Sequence, residues 1–443
     1  MITGSHYAVS CIVLAVRCVI DATVPMRAAS RISGLINELN GDGPYDYPSH
    51  TTVQNFILRI GLYLLQRDTL FRHDWIWIID HSYSVGTTKV FLVLGIRLTD
   101  FQQLRRPLQH HDLEVLMLLP VEQSNGDIVH RQLSDLVIRV GIPLAILSDR
   151  GSDLNKGVAL LQQDQPAVIS LYDIVHLTSR KIEKVLNNDP QWAEFRKACC
   201  ECANAVRQSP LAHLKPPRPK TKARYMNIDR EIRWGARALL LLDRVRAGRL
   251  TDRQRLRLPK GQIEEKFGWL DEYRNSIEQW EHISLTGRQV ISEVRRHGYG
   301  SDTVSTLETI ARSTSNESSG CLVRQIIDEV QPMCDVSRRH GRLPASSEVL
   351  ESLFGKGKRL LSGTTSGTTN SLTRQLLAMV TSTARITPTL VQEALAGCSV
   401  KNLLRWCGEN FKPGIHATRR EDLCPTETEQ KLRKPKPAAI PNF

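Results

Sequence analysis

Three acids, Asp80, Asp149 and Glu351, stand where the chain can use them together. Asp80 follows the apolar run WIWII and Asp149 follows IPLAILS, so each is delivered by a stretch that reads as a buried strand. Groups at the carboxyl ends of strands in an open sheet meet in one crevice, which brings the two acids together if their strands are neighbours. Crowded carboxylates repel one another, and a cation offsets that repulsion. An all-oxygen donor set suits Mg2+ or Mn2+. The third acid is expected in PASSEVLESLFGKGK, where Ser346 or Ser347 can cap a helix and Glu351 lies one turn inside it, on the face of Leu350 and Phe354. Glu348, one turn earlier, competes for the role, and a surface Glu on an amphipathic helix is the ordinary reading of either residue. A further apolar run, PAVISLY, delivers Asp173 three residues before His176. His176 is read either as a group near the site or as a structural histidine bonded to Asp173.

The elements around these residues follow from periodicity. WIWIID and VFLVLGI read as neighbouring strands across a polar turn, HSYSVGTTK, with Asp80 ending the first; EVLMLLPVE (114–122) is a third strand. The helix DIVHRQLSDLVIRVG (127–141) precedes the strands that end in Asp149 and Asp173. This order predicts an α/β sheet whose central strands are buried on both faces.

Upstream, MRAASRISGLINEL carries Ile32, Leu35, Ile36 and Leu39 at helical spacing, and TTVQNFILRIGLYLL repeats the stripe with Val53, Phe56, Ile57 and Ile60. Residues 1–70 are therefore expected to form a helix-turn-helix that offers Thr52, Gln54, Asn55 and Arg59 to phosphates and base edges; a helical hairpin packed on the next domain is the alternative. Residues 181–340 read as mostly helical, broken by the basic, proline-rich KPPRPKTKAR, and residues beyond about 411 read as a flexible basic tail.

The composition, 41% hydrophobic and 24% charged, is that of a globular protein and argues against wholesale disorder. The 59 Lys and Arg exceed the 46 Asp and Glu by 59 − 46 = 13, which favours a polyanionic partner, nucleic acid first. Phosphate contacts are expected from Lys215, Arg218, Lys220 and Lys222 and from Arg244, Arg246, Arg249, Arg253, Arg255 and Arg257. The ten cysteines are scattered, and CCEC at 199–202 has no partner at zinc-ligand spacing, so reduced thiols in a cytoplasmic chain are expected. The apolar stretch at 7–20 contains Arg17 and is too short for a membrane span.

The order of an apolar strand with Asp80, hairpin strands, a helix, a strand with Asp149 in LSDRGSD and a late helix with Glu351 resembles the RNase H-like catalytic core of a DDE transposase. The interval 149 − 80 = 69 residues suits the β-β-β-α-β half of that fold. Asp173 to His176 resembles the C/D-x-x-H motif of cut-and-paste transposases of the hAT-like group, and PASSEVLESLF is similar to that group's signature around its glutamate. Ser352 stands where that pattern has Arg, and no zinc finger of the BED type precedes the core, so the match is to a wider class of insertion-sequence transposases.

The resemblance implies an α/β RNase H-like core (71–180 and 341–410) interrupted by an all-α insertion domain (181–340). It also implies two Mg2+ or Mn2+ ions held by Asp80, Asp149 and Glu351, cleavage of transposon ends and joining to target DNA, and a homodimer or higher oligomer on double-stranded DNA. Trp234, Trp269 or Trp280 would be candidates to stack on a flipped base. The readings that compete are a catalytically inactive, transposase-derived DNA-binding regulator and a structure-specific nuclease.

Overall fold

The computed structural model describes residues 6–39, 47–85, 88–218, 228–360 and 371–410. Lys220, Lys222, the Gly/Ser/Thr segment 361–370 and the basic tail lie outside the described residues. The centre is a five-stranded mixed sheet, order β3-β2-β1-β4-β5, formed by β1 (Trp75–Val85), β2 (Thr88–Arg97), β3 (Glu114–Val121), β4 (Ala145–Ser148) and β5 (Ile169–Tyr172). The pairs β1–β2 and β2–β3 are antiparallel, whereas β1–β4 and β4–β5 are parallel. With helices packed on both faces, the class is mixed α/β.

Strand alternation decides which helices cover which face. Trp75, Trp77 and Ile79 point with Ile146 to one side, where they meet Val129, Leu133, Leu154 and Val158. Those four residues come from the crossover helices α5 (Gly126–Val140) and α6 (Ser152–Asp164); the second connection was not expected to be helical. Ile76 and Ile78 point the other way with Leu147, into the main core.

That core also holds the N-terminal helices α1 (Val9–Ile20), α2 (Met26–Leu39) and α3 (His50–Gln66), while α4 (Leu98–Gln103) follows β2. Among the described residues no helix is long and apolar enough to cross a membrane.

Two expectations about this region are corrected. In α2 the buried stripe is Met26, Ala29, Ser30, Ser33 and Gly34, whereas Leu35 and Leu39 are exposed. Small residues allow a close approach of the chain here: Ser30 Oγ donates to the Pro48 carbonyl at 2.8 Å and the Tyr47 ring covers Gly34. The helix α3 is capped by Ser49, whose side chain accepts from the Thr52 amide, but it is a core helix, not a free recognition helix. Val53, Phe56, Ile57, Leu58, Ile60, Leu62 and Leu64 are all buried, at about 1.5–3 kcal/mol each. Arg59 is engaged in the protein: Nε donates to the Cys398 carbonyl at 2.5 Å and Nη2 to Leu395 at 2.6 Å. Thr52, Gln54 and Asn55 are half-buried.

The third correction concerns β1, which does not turn after Asp80. His81 and Ser82 stay in the ladder opposite Phe91 and Val90, and the His81 ring packs on Phe91 at a centroid distance of 4.9 Å. Polar side chains do not release a strand whose backbone is already paired.

The helical region has two cores. One is shared by the end of α7 (Ile174–Asn187), α8 (Pro190–Val206), α9 (Ile228–Arg246), α11 (Lys260–Phe267) and the first half of α12 (Arg274–His297), packed around Trp192, Phe195 and Trp280, while α10 (Asp252–Arg257) buries none of its residues. The second half of α12, with α13 (Thr303–Ser313) and α14 (Glu317–His340), joins the main core instead, so the packing divides this region well before residue 340. The same main core takes in α15 (Glu348–Leu360), α16 (Ser371–Thr381), α17 (Pro388–Gly397) and α18 (Val400–Asn410).

Candidate active site

The parallel pairing of β1 with β4 ends at Ile78 opposite Leu147. Continuing that register by two residues sets Asp80 level with Asp149, on the face of Ile76 and Ile78. Asp149 leaves β4 in a tight turn: its Oδ1 accepts from the Gly151 amide at 2.8 Å, and Arg150 between them has φ 53°. A left-handed conformation is uncommon for a residue with a side chain, and the turn holds it while the Arg150 guanidinium lies 4.8 Å from the centre of the Tyr172 ring.

Glu351 arrives from the far end of the chain. The apolar stripe Val349, Leu350, Leu353 and Phe354 buries one side of α15. Ahead of the helix, Ser346 Oγ accepts from the Glu348 amide at 3.3 Å, as a cap would. Ser347 turns instead to Asp173. The two competing glutamates are separated by their partners. Glu348 Oε2 lies 2.7 Å from Arg295 Nε, whereas Glu351 Oε1 lies 3.3 Å from His176 Nε2.

Asp173 is fully buried and organises the approach of two helices. One oxygen caps α7 by accepting from the His176 amide at 2.8 Å; the other accepts from the Ser347 amide and, at 2.9 Å, from Ser347 Oγ. The Ile174 amide also donates to the Ala345 carbonyl at 2.8 Å. His176 and Glu351 are thus set side by side by a residue whose own carboxylate is spent on backbone and hydroxyl donors.

The electrostatics show the acids as neighbours. Burial pushes the Asp80 carboxyl up to about 7, and the charges of Asp149 and Glu351 push the same way against His176. Burial alone would lower His176, but its bond to Glu351 and the charges of Asp173 and Asp149 raise it to about 9, so it is an imidazolium at neutral pH. The donor set is hard carboxylate oxygen, which suits Mg2+ or Mn2+. Even so, among the described residues no three His, Cys, Asp or Glu side chains converge closely enough to hold one metal ion.

On the opposite side of β1 is a cluster that sequence reasoning missed. Asp153 Oδ2 lies 3.3 Å from His81 Nδ1 and accepts from Ser124 Oγ at 2.7 Å. Its signal was Asp153 in the first turn of the helix after Asp149, but nothing in the spacing ties that residue to His81.

The basic residues expected to meet DNA are scattered over the helical region. Lys215, Arg218, Arg249, Arg253 and Arg257 are exposed. Arg246 is held by Glu264 and Asp271, Arg244 donates to Gln254 Oε1 at 3.1 Å, and Arg255 donates to the Leu250 carbonyl at 3.2 Å. The tryptophans do not stand out as stacking platforms. Trp280 is buried and donates to Asp189 at 2.8 Å, and Trp234 stacks on Trp269 at 6.3 Å with both indole N–H groups on carbonyls.

No family model matches the chain, and no curated protein matches it. Among solved structures, the Drosophila P element transposase strand transfer complex is similar over 87% of this chain and 94% of that one, with 14% sequence identity and a TM-score of 0.36. So slight a likeness assigns neither a fold family nor an activity.

Proposed function

We propose that the chain is a DNA transposase of the DDE type, built on an RNase H-like sheet, that cleaves transposon ends and joins them to target DNA. The observation that carries this reading is geometric: the β1–β4 register sets Asp80 level with Asp149, and the bond of Ser347 to Asp173 brings the helix of Glu351 up to His176 on the same side. The sheet supports it, with three antiparallel strands followed by two parallel ones and the acids beyond the β1–β4 pairing. In this reading residues 71–180 and 341–410 form the core, to which the second half of α12, α13 and α14 add their packing, and the separate cluster around Trp192 and Trp280 is the centre of the insertion.

Asp80, Asp149 and Glu351 would hold Mg2+ or Mn2+, which supplies activation of an attacking oxygen and neutralisation of the leaving 3′-oxygen. The chain's own contribution begins with rigidity: a carboxylate rooted in a buried strand cannot swing away from its neighbours. His176, protonated and beside Glu351, offers a donor to a non-bridging phosphate oxygen. Joining needs two ends held together, so a homodimer or larger assembly on double-stranded DNA belongs to the proposal, as does a nucleoid location.

One observation favours the second reading, a DNA-binding regulator without turnover. Glu351 is held by His176, and the acids do not close on one point among the described residues. Calorimetric titration with Mn2+ separates the two. Asp80→Asn, Asp149→Asn and Glu351→Gln should each weaken binding about ten-fold or more, with Glu348→Gln as the control because Glu348 belongs to Arg295. Strand transfer by wild type but by none of the three variants completes the case; undiminished Mn2+ binding in all of them leaves the regulator.

A further inference from the structure

Beside Glu351, on the adjoining face of α15, a cavity of about 750 Å³ opens between α1, α12, the 110–112 turn and the chain after α16. Four cations line it, Arg17, Arg295, Lys356 and Arg385, against the carboxylates of Asp21 and Glu348. The carboxylates are already used: Arg17 Nε lies 2.9 Å from Asp21 and Arg295 Nε lies 2.7 Å from Glu348. Lys356 and Arg385 remain, and among the described residues neither has a carboxylate within ion-pair distance. Lys356 is half-buried, and the nearby acid that acts on it, Asp21, is held by Arg17 and lies beyond ion-pair distance, so an added anion would offset the cost of drawing the ammonium out of water. His110 adds a ring nitrogen 3.2 Å from Ser352 Oγ, next in sequence to Glu351.

We propose that this groove seats the phosphodiester backbone of a DNA strand, with Lys356 and Arg385 on its phosphates. The substrate class rests on the function proposed above; the groove itself rests on its surplus charge and its position beside Glu351. No Phe, Tyr or Trp lines it to stack a base, which favours backbone over base contacts. The DNA contacts expected from α3 and from the arginine-rich segments do not include any of these residues.

The test measures duplex binding by fluorescence anisotropy across a salt series in EDTA, so that it does not depend on cutting. Lys356→Gln combined with Arg385→Gln should weaken binding about ten-fold and reduce the salt slope by about two, one for each lost phosphate contact. The conservative pair Lys356→Arg with Arg385→Lys should retain both affinity and slope, which guards against a folding defect. Lys401→Gln with Arg405→Gln, two exposed charges on α18, reports the general field of the protein. Equal losses in the groove pair and the α18 pair overturn the proposal. So does unchanged duplex binding in a groove variant that has lost calorimetric binding of inorganic phosphate, which would make this a site for a free anion. Failure of strand transfer with intact groove binding would count against the proposed function alone.

Discussion

Asp173 accepts a hydrogen bond from Ser347 across 174 residues of chain, at 2.9 Å, while its other oxygen caps the helix that carries His176. A single buried carboxylate therefore sets the distance between His176 and Glu351. Asp173→Asn keeps the shape but replaces one of the two acceptor oxygens by an NH2 donor that faces donors, and should cost roughly 3 kcal/mol in urea unfolding. Ser347→Ala should cost about 1–2 kcal/mol. A loss under about 0.5 kcal/mol in both would show that the junction does not hold the helices together.

His176 should titrate near pH 9 when followed by NMR of labelled histidine, well above its ordinary 6.5. Its folded value exceeds its unfolded value, so the stability it contributes is fully present below about pH 6.5 and is lost as pH rises through about 9. Glu351→Gln removes the strongest raising contact, leaving burial to pull the midpoint down. A wild-type midpoint at 6.5 would mean that the pair does not form in solution.

Asp80 runs the other way. Its carboxyl is raised from 3.8 to about 7, so between those values the folded chain holds a proton that the unfolded chain has released, and stability falls as pH climbs through that window. In EDTA, Asp80→Asn should melt several °C above wild type at pH 8, and the two should converge near pH 4. Equal melting temperatures at both pH values would mean that burial does not hold the Asp80 carboxyl above its ordinary range.

Gly61 gives a packing test away from the acids. A Cβ there would stand 2.1 Å from the Leu377 carbonyl oxygen and 2.8 Å from its carbon, and backbone cannot step aside as a side chain can. Gly61→Ala should destabilise by about 2–3 kcal/mol despite its better helix propensity. A stabilised variant, read by the shift in urea midpoint, would mean that α3 and α16 are not in contact.

The strands were legible because burial on both faces leaves an apolar run that polar residues interrupt only at its ends or at a site. Asp149 and Asp173 follow β4 and β5 as that rule predicts. It failed at His81, where the ladder with β2 continues beneath a polar side chain, so Asp80 sits within β1 rather than at its end. Helical periodicity found α2 but chose the wrong face. Ile32, Leu35, Ile36 and Leu39 have the larger apolar side chains, yet Ala29, Ser30, Ser33 and Gly34 let neighbouring chain come close. Arg59 reads as a free cation in any sequence, since the carbonyls it serves lie more than 300 residues away. Sequence separation likewise hides the roles of Ser347, 174 residues from Asp173, and of Arg295, and only the folded chain shows that Glu351 and Glu348 have different partners.

The dependence of α15 on Asp173 has a consequence for a chain still being made. N-terminal parts leave the ribosome first, so the sheet with Asp80 and Asp149 emerges well before Glu351 exists. Until α14, α15 and α16 follow, the sheet face bearing Ile76 and Ile78 has lost much of its cover. A product stalled before residue 317 thus leaves apolar sheet surface uncovered and lacks the third acid, so the acid cluster can assemble only after α15 has emerged.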